Sequence, residues 1–381
     1  MGFATLRADL ADTATHEPGF WAPHLAGGRA VVNAAGLLTG SDAAFAAVHE
    51  AAPRAVYAAR APGAPALLIS AVGIEADTRF ARWRRRGEAV ARDAGATILR
   101  PGLVMADTSY GGTSLARALA ALPLVTPVVG NGRQVFNPIH AEDLAAVVAV
   151  CLDLPPGAGT YDIGGPERIT QAGLLALLRS WLGLPPARVL CLPLPAARAL
   201  GALGDALRLG PVSRTAVAQL AQGVEAEEAP LLHRIALHPR PVSDFAMRRP
   251  AGTQDLWHAR LYLLRPLVRL VLALLWLASG LLGLLLPADT FLPITDSALP
   301  DAAAIALARL GGLADLVLAG ALIRNWRPRL TGLMQIGLVG AYTLAFTALA
   351  PALWLLPFGG LLKNLPILAL ILVWMLLEDE R

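Results

Sequence analysis

Residues 261–286 read LYLLRPLVRLVLALLWLASGLLGLLL. Apart from Arg265 and Arg269 the stretch carries no charge, and about 20 apolar residues in a helix cross a hydrocarbon core of about 30 Å. Three more segments of this kind follow, at about Ala302–Ile323, Leu330–Ala350 and Leu361–Leu377. One such segment can be a buried helix of a soluble protein. Four in succession, joined by short loops, predict an all-α four-helix membrane domain over residues 251–381.

The loops predict its orientation. Arg260, Arg265 and Arg269 accompany the start of the first span, and Arg324, Arg327 and Arg329 follow the second. The loop Pro287–Asp301 between them holds Asp289, Asp296 and Asp301 and no Lys or Arg. Positive residues mark the cytoplasmic side. Both termini are therefore expected in the cytoplasm and the acidic loop outside, with Lys363 on the third loop as an exception. Among the charges within spans, Arg269 lies eight residues after Leu261 and Asp315 eight residues before Ile323. If those end residues share one level, the two charges meet about 12 Å deep and form an ion pair, with Arg309 as the lesser partner. The alternative is that Arg269 snorkels to the headgroups.

Composition agrees with a chain that is apolar in one part. Hydrophobic residues make up 55% and charged residues 16%, against about 25% charged in ordinary soluble domains. The net charge of +4 rests on Arg, because Lys363 is the only lysine. No basic stripe with interleaved aromatics suggests nucleic-acid binding. Cys151 and Cys191 form no metal or disulfide pattern and read as buried reduced thiols. Residues 1–20 lack an apolar signal-peptide core, so the front part is expected in the cytoplasm.

That front part, residues 1–155, alternates short apolar runs with helical patterns. Ala30–Val32, Ala66–Ile69, Thr97–Leu99 and Gln134–Pro138 read as strands. Ala43–Ala59, Thr78–Ala94 and Glu142–Leu152 read as helices. This alternation predicts a parallel α/β sheet covered on both faces. Residues 156–250 are expected to cap it, with helices at Gln171–Leu182 and Pro193–Leu207 and a basic linker at Arg234–Pro250 suited to anionic headgroups.

Asp9-Leu10, Asn33-Ala34-Ala35-Gly36, Ser70-Ala71-Val72-Gly73, Leu99-Arg100-Pro101-Gly102 and Pro138-Ile139-His140-Ala141-Glu142-Asp143-Leu144-Ala145 follow one another in order. Together they resemble an atypical or extended short-chain dehydrogenase/reductase, the NAD-dependent epimerase/dehydratase-like group. Residues Trp354–Pro366 resemble the closing motif of the DoxX-like family. The resemblance implies a Rossmann-like fold with NAD or NADP in a full-length form. Asp9 and Leu10 would lie at the adenine, and Asn33, Ala34, Ala35 and Gly36 would pass the ribose with their backbone. Arg100 and Pro101 would also contact the cofactor, and Ser70 would assist the substrate carbonyl. Asp9 can equally serve as a turn or helix cap, Ser70 as a turn residue, and His140 as a structural residue.

Two departures from the family stand out. No G-x-x-G-x-x-G-type turn is present, and such a turn cradles the pyrophosphate at a helix N-terminus. The chain reads as starting at the family's third strand, just before Asp9, so a truncated domain or a misplaced coding start is expected. Secondly, the family's catalytic Tyr and Lys positions hold Phe80 and Arg84. Phenylalanine has no proton to give, and arginine holds its own too tightly to act as a base. Two readings remain open. One is an oxidoreductase or epimerase acting in a longer form on a lipid-like or quinone-like substrate. The other is a retired module, without a cofactor in the chain as given, that steadies or regulates a membrane redox partner. No metal site is expected.

Overall fold

Period-two alternation builds the sheet of the front unit. In the computed structural model, which describes residues 4–38, 40–154, 159–209, 212–226, 231–232, 235–292 and 299–378, β1 (Val31–Asn33), β2 (Ala66–Ile69) and β3 (Thr97–Pro101) lie side by side. Of the residues singled out above, Arg234, Asp296 and Arg381 lie outside the described set. Two-residue strands β4 (Val104–Met105), β6 (Val135–Phe136), β7 (Ile139–His140) and β9 (Ile169–Thr170) and the longer β5 (Val125–Val129) and β10 (Arg188–Leu192) form three small sheets. The central sheet is completed by β8 (Thr160–Ile163), giving the order β1-β2-β3-β8, parallel throughout.

Alternate residues feed two cores. Leu67, Leu99 and Ile163 point to one face with Ile139, Val147 and Cys151. Val31, Leu68 and Ile98 point to the other, against Tyr57, Val90 and Ala91. Helices cover both faces: α1 (Pro18–Leu25), α2 (Asp42–Ala46), α3 (Ala52–Ala59), α4 (Arg79–Asp93), α5 (Gly112–Ala120) and α6 (Ala141–Leu152). Between α2 and α3, Ala47–Ala51 make a π-helical turn. Thr78 caps α4 by accepting the Ala81 N–H at 3.1 Å, which fixes where the helix begins.

Three expectations for this unit are corrected. Residues 4–9 form no strand; they run into a turn in which Asp9 accepts the Ala11 N–H. Cys191 is exposed, because it sits on β10, which pairs only with β5, while Cys151 is buried. The basic linker is folded structure: Val242–Arg248 is a helix, Val242 is fully buried, and Arg240 is gripped by Asp143 at 3.0 Å. The acid that captures Arg240 stands in the first turn of α6, out of sight of a reading based on composition.

The described residues divide into two compact units, 1–205 with 210–259, and 206–209 with 260–381. The second unit contains the apolar helices from Arg260 onward. Among the described residues, four stretches are long and apolar enough to cross a membrane: Thr253–Leu285, Asp301–Ile323, Pro328–Leu349 and Gly359–Leu377. The first two spans touch through glycine. A Cβ at Gly280 would meet the Gly312 carbonyl at 2.8 Å, and one at Gly312 would meet the Gly280 carbonyl at 3.0 Å. Small residues permit this close backbone approach, which in lipid gives van der Waals contact its largest share of the packing. Leu272, Trp276, Leu318, Leu322, Ile371 and Trp374 fill the centre of the bundle.

That glycine contact sets a register that overturns the expected ion pair. Asp315 stands level with Ser279, whose hydroxyl donates to it at 2.5 Å, and Tyr342 donates to its other oxygen at 3.1 Å. Arg269 lies ten residues back along the first span, about 15 Å away along the axis. It donates instead to the Leu207 and Arg208 carbonyls at 2.7 and 3.0 Å, so it does not snorkel either. Arg309 donates to the Gly283 and Leu286 carbonyls, both at 2.8 Å. Leu261 and Ile323, taken as one level in the sequence, are offset by this register.

Candidate active site

The edge of β2 and the buried face of α4 build the candidate site. The stripe of α4 that faces the sheet carries Phe80, Ala81, Gly87, Glu88, Val90 and Ala91. Glu88, at 1% exposure, is the single acid on that stripe. Ser70 follows β2, is buried, and donates its hydroxyl to Glu88 Oε1 at 2.6 Å. Arg100, on β3, donates Nε to Oε1 at 2.8 Å and its terminal nitrogen to Oε2 at 2.7 Å. This is a two-toothed, charge-assisted grip. It holds the Arg100 guanidinium above its ordinary value, mainly through the hydrogen bond that Arg100 donates to Glu88.

Arg84 lies one helical turn before Glu88. Its guanidinium donates to the Ile69 carbonyl at 3.1 Å and sits 5.4 Å from the centre of the Phe80 ring. It also occupies the space where a side chain on Gly36 would begin, so a larger residue there would have to displace the guanidinium. Burial pulls Arg84 down to about 10, against the opposing pull of Glu88, which still leaves it charged at neutral pH. His49, on the π-helical turn, stacks on Phe45 and accepts the Leu37 N–H at 3.4 Å. Burial first, and the Arg84 charge second, lower His49 to about 4.

The structure thus joins Ser70 and Arg100 to Glu88, and sets Phe80 and Gly36 against Arg84 one turn before it. Asn33 accepts the Ala35 N–H at 3.0 Å and so closes the turn Asn33-Ala34-Ala35-Gly36 by itself. The Pro101 carbonyl accepts from the Val72 N–H. Asp9 and Leu10 are engaged within their own turn, where the Leu10 carbonyl meets His16 Nε2 at 3.0 Å. No hydrogen bond joins Asp9 or Leu10 to Asn33–Gly36 among the described residues. His140 caps α6 through Nδ1, which accepts the Glu142 N–H at 3.3 Å. No metal-binding cluster occurs among the described residues.

Glu88 and His49 were not identified from the sequence. The signal for Glu88 was available: it falls two turns after Phe80, on the apolar stripe of an otherwise basic helix. His49 gave no comparable signal.

Residues 273–372 match the DoxX-like family. No curated protein matches the chain. Among solved structures, the chain is similar to a dTDP-glucose 4,6-dehydratase from Bacillus anthracis str. Ames in complex with NAD, at 12% identity over 47% of this chain and 65% of that one, TM-score 0.40. It thus spans slightly less than two thirds of that protein. It is similar to a dTDP-glucose 4,6-dehydratase from Streptomyces venezuelae with NAD and TYD bound, at 15% identity over 67% and 79%, TM-score 0.47. A dTDP-4-dehydrorhamnose reductase from Bacillus anthracis str. Ames in complex with NADP shares 14% identity over 61% and 85%, TM-score 0.46. The chain thus joins a parallel-sheet region to four helices long and apolar enough to cross a membrane, and residues 273–372 of that second part match the DoxX-like family.

Proposed function

We propose that the parallel-sheet region is a membrane-tethered relative of the short-chain reductases that has left Tyr-dependent hydride chemistry, and that it steadies or regulates a membrane partner, a redox protein being the class that fits. The carrying observation is Arg84. It lies on the backbone of Gly36 and Ile69, on the ground the resemblance gives to the adenine ribose. Ser70, the remaining family-type catalytic group, is turned to Glu88 at 2.6 Å. Phe80 supplies no proton. The residues present therefore do not fit NAD or NADP along Asn33–Gly36, and no hydride step is derived through it. In this reading the protein resides in the cytoplasmic (inner) membrane with both termini in the cytoplasm, as the Arg distribution around the spans supports.

The competing reading is an oxidoreductase or epimerase that acts in a longer form on a lipid-like or quinone-like substrate. Ser70, Arg100 and Pro101, retained in order, favour it. Calorimetry on the full chain in detergent separates the two. The proposal expects no binding of NAD(H) or NADP(H) tighter than about 0.1 mM. Micromolar binding, or a carbonyl-reductase activity that Ser70→Ala abolishes, overturns it. Under the competing reading, Phe80→Tyr with Arg84→Lys would raise activity by restoring a phenol beside an amine.

A further inference from the structure

One helix of the front unit is turned the wrong way for a helix bathed in water. Leu194–Ala206 buries Ala197, Gly201 and Gly204 and leaves Leu200 and Leu203 half exposed, at 50% and 52%. Its inward face is close to neighbouring backbone. A Cβ at Gly201 would meet the Ser213 carbonyl at 2.9 Å, and one at Gly204 would run into the Val212 carbonyl. A leucine has no room on that side. A water-facing surface helix shows the opposite pattern, with its leucines toward the core.

The outward surface is itself divided. At about 100° per residue, Ala196, Ala199, Leu200 and Leu203 share one sector, and Arg198 and Asp205 lie roughly opposite it. All six are exposed. The charged sector suits water, and the leucine sector suits an apolar medium. Leucines scattered singly over a surface are ordinary. A leucine sector set against a charged one is the pattern of a helix that lies in a membrane interface.

The path of the chain supplies that interface. Ala206, the last residue of this helix, is also the first of residues 206–209, which group with the membrane unit. There Arg269 holds the Leu207 and Arg208 carbonyls, and Arg208 donates to the Arg324 carbonyl at 3.1 Å. Arg269 stands eleven residues before Gly280 on the first span, and Ile323 eleven residues after Gly312 on the second. The contact between those glycines therefore sets Arg269 and Ile323 at one level. At that level the second span gives way to Arg324, Arg327 and Arg329, the residue type that marks the cytoplasmic edge of a membrane. The helix thus ends at the edge of the bilayer, with Leu203 less than one turn before its last residue.

We infer that the helix Leu194–Ala206 lies along the cytoplasmic surface of the bilayer, with Leu200 and Leu203 at the boundary between headgroups and acyl chains. The inference rests on the membrane reading of residues 260–381 and is independent of the role of the Ser70 region. The test uses the full chain with Cys191→Ser, reconstituted in vesicles of phosphatidylcholine and phosphatidylglycerol; Cys151 is buried and takes no label. A nitroxide is attached in turn at Leu200→Cys, Leu203→Cys, Arg198→Cys and, within the first span, Leu274→Cys. Each replaces an exposed side chain, circular dichroism checks the fold, and either leucine position alone decides. Electron paramagnetic resonance reads collisions of the label with oxygen, which concentrates in lipid, and with a water-soluble nickel chelate. The oxygen-to-nickel ratio is expected to be several-fold higher at Leu200 and Leu203 than at Arg198, and highest at Leu274. Ratios at Leu200 and Leu203 equal to that at Arg198 overturn the inference, while a high ratio at Leu274 keeps the membrane reading. Few collisions with either reagent at the two leucines would show that protein covers them, which also overturns it. A ratio at Leu274 no higher than at Arg198 overturns both.

Discussion

Glu88 accepts the hydroxyl of Ser70 at 2.6 Å with an oxygen that Arg100 also holds. The acid is 1% exposed, so its charge is supported by these partners rather than by water. Removing it leaves Arg100 only the more distant carboxylates of Glu75 at 3.5 Å and Asp162 at 4.0 Å. Glu88→Ala is expected to destabilise the front unit by about 1.5–3 kcal/mol, the usual worth of a hydrogen bond to a charged group. Glu88→Leu with Arg100→Met is expected to cost less than the sum of the two single changes. Hydrogen exchange at β2 and β3 in the full chain measures both.

His49 predicts a pH dependence. Its folded value, about 4, lies below the ordinary histidine value of about 6.5. The fold therefore favours the neutral ring. As pH falls below about 6.5 the unfolded chain takes up a proton first, and stability declines until about pH 4, where the folded ring also protonates. The loss is at most about 3 kcal/mol. His49→Gln is expected to flatten this window in the amide exchange of the front unit. An unchanged slope in the variant would remove His49 as the cause.

Asp143 acts on the more acidic side. Burial alone would raise its carboxyl, but the contacts from Arg240 together outweigh burial and hold it below the usual range. Its contribution is present above about pH 3.9 and is lost as pH falls through the folded value. Asp143→Asn should therefore cost stability at neutral pH and little in strong acid, measured by acid titration of both forms.

The membrane bundle predicts a specific pattern of coupling. Tyr342→Phe and Ser279→Ala each remove one hydrogen bond to Asp315, each worth about 0.6–1.7 kcal/mol in membrane helices, and both should be non-additive with Asp315→Ala. Arg269→Ala and Asp315→Ala should be additive, since the two groups share no partner. Coupling between Arg269 and Asp315 would contradict the register set at Gly280 and Gly312.

Orientation is open to a direct measurement. A reporter fused after Arg381 is expected to read cytoplasmic, and one placed within Pro287–Asp301 external. The reverse at either position would break the arrangement.

The four spans were legible because each charged residue in lipid is costly, so sequences of this length and apolarity have few other fates. Strand Ala66–Ile69 and helix Arg79–Asp93 were legible for a similar reason: apolar period and a Thr78 cap agree. Depth along a span was not legible. Hydropathy carries no register, and the level of Asp315 was decided by a glycine contact between helices. Glu88 was hidden differently: surrounded in sequence by arginines, it reads as part of a solvated face, and only the phase of the helix turns it inward.

The grip of Arg269 on Leu207 and Arg208 bears on how this protein is made. Those carbonyls belong to Ala206–Leu209, which the ribosome delivers before the first span, yet which group with the membrane unit. No single cut in the chain therefore releases that unit whole. A fragment starting after residue 250 would carry a buried guanidinium without its two acceptors, and a nascent chain must wait for its first span before the turn at 206–209 can settle.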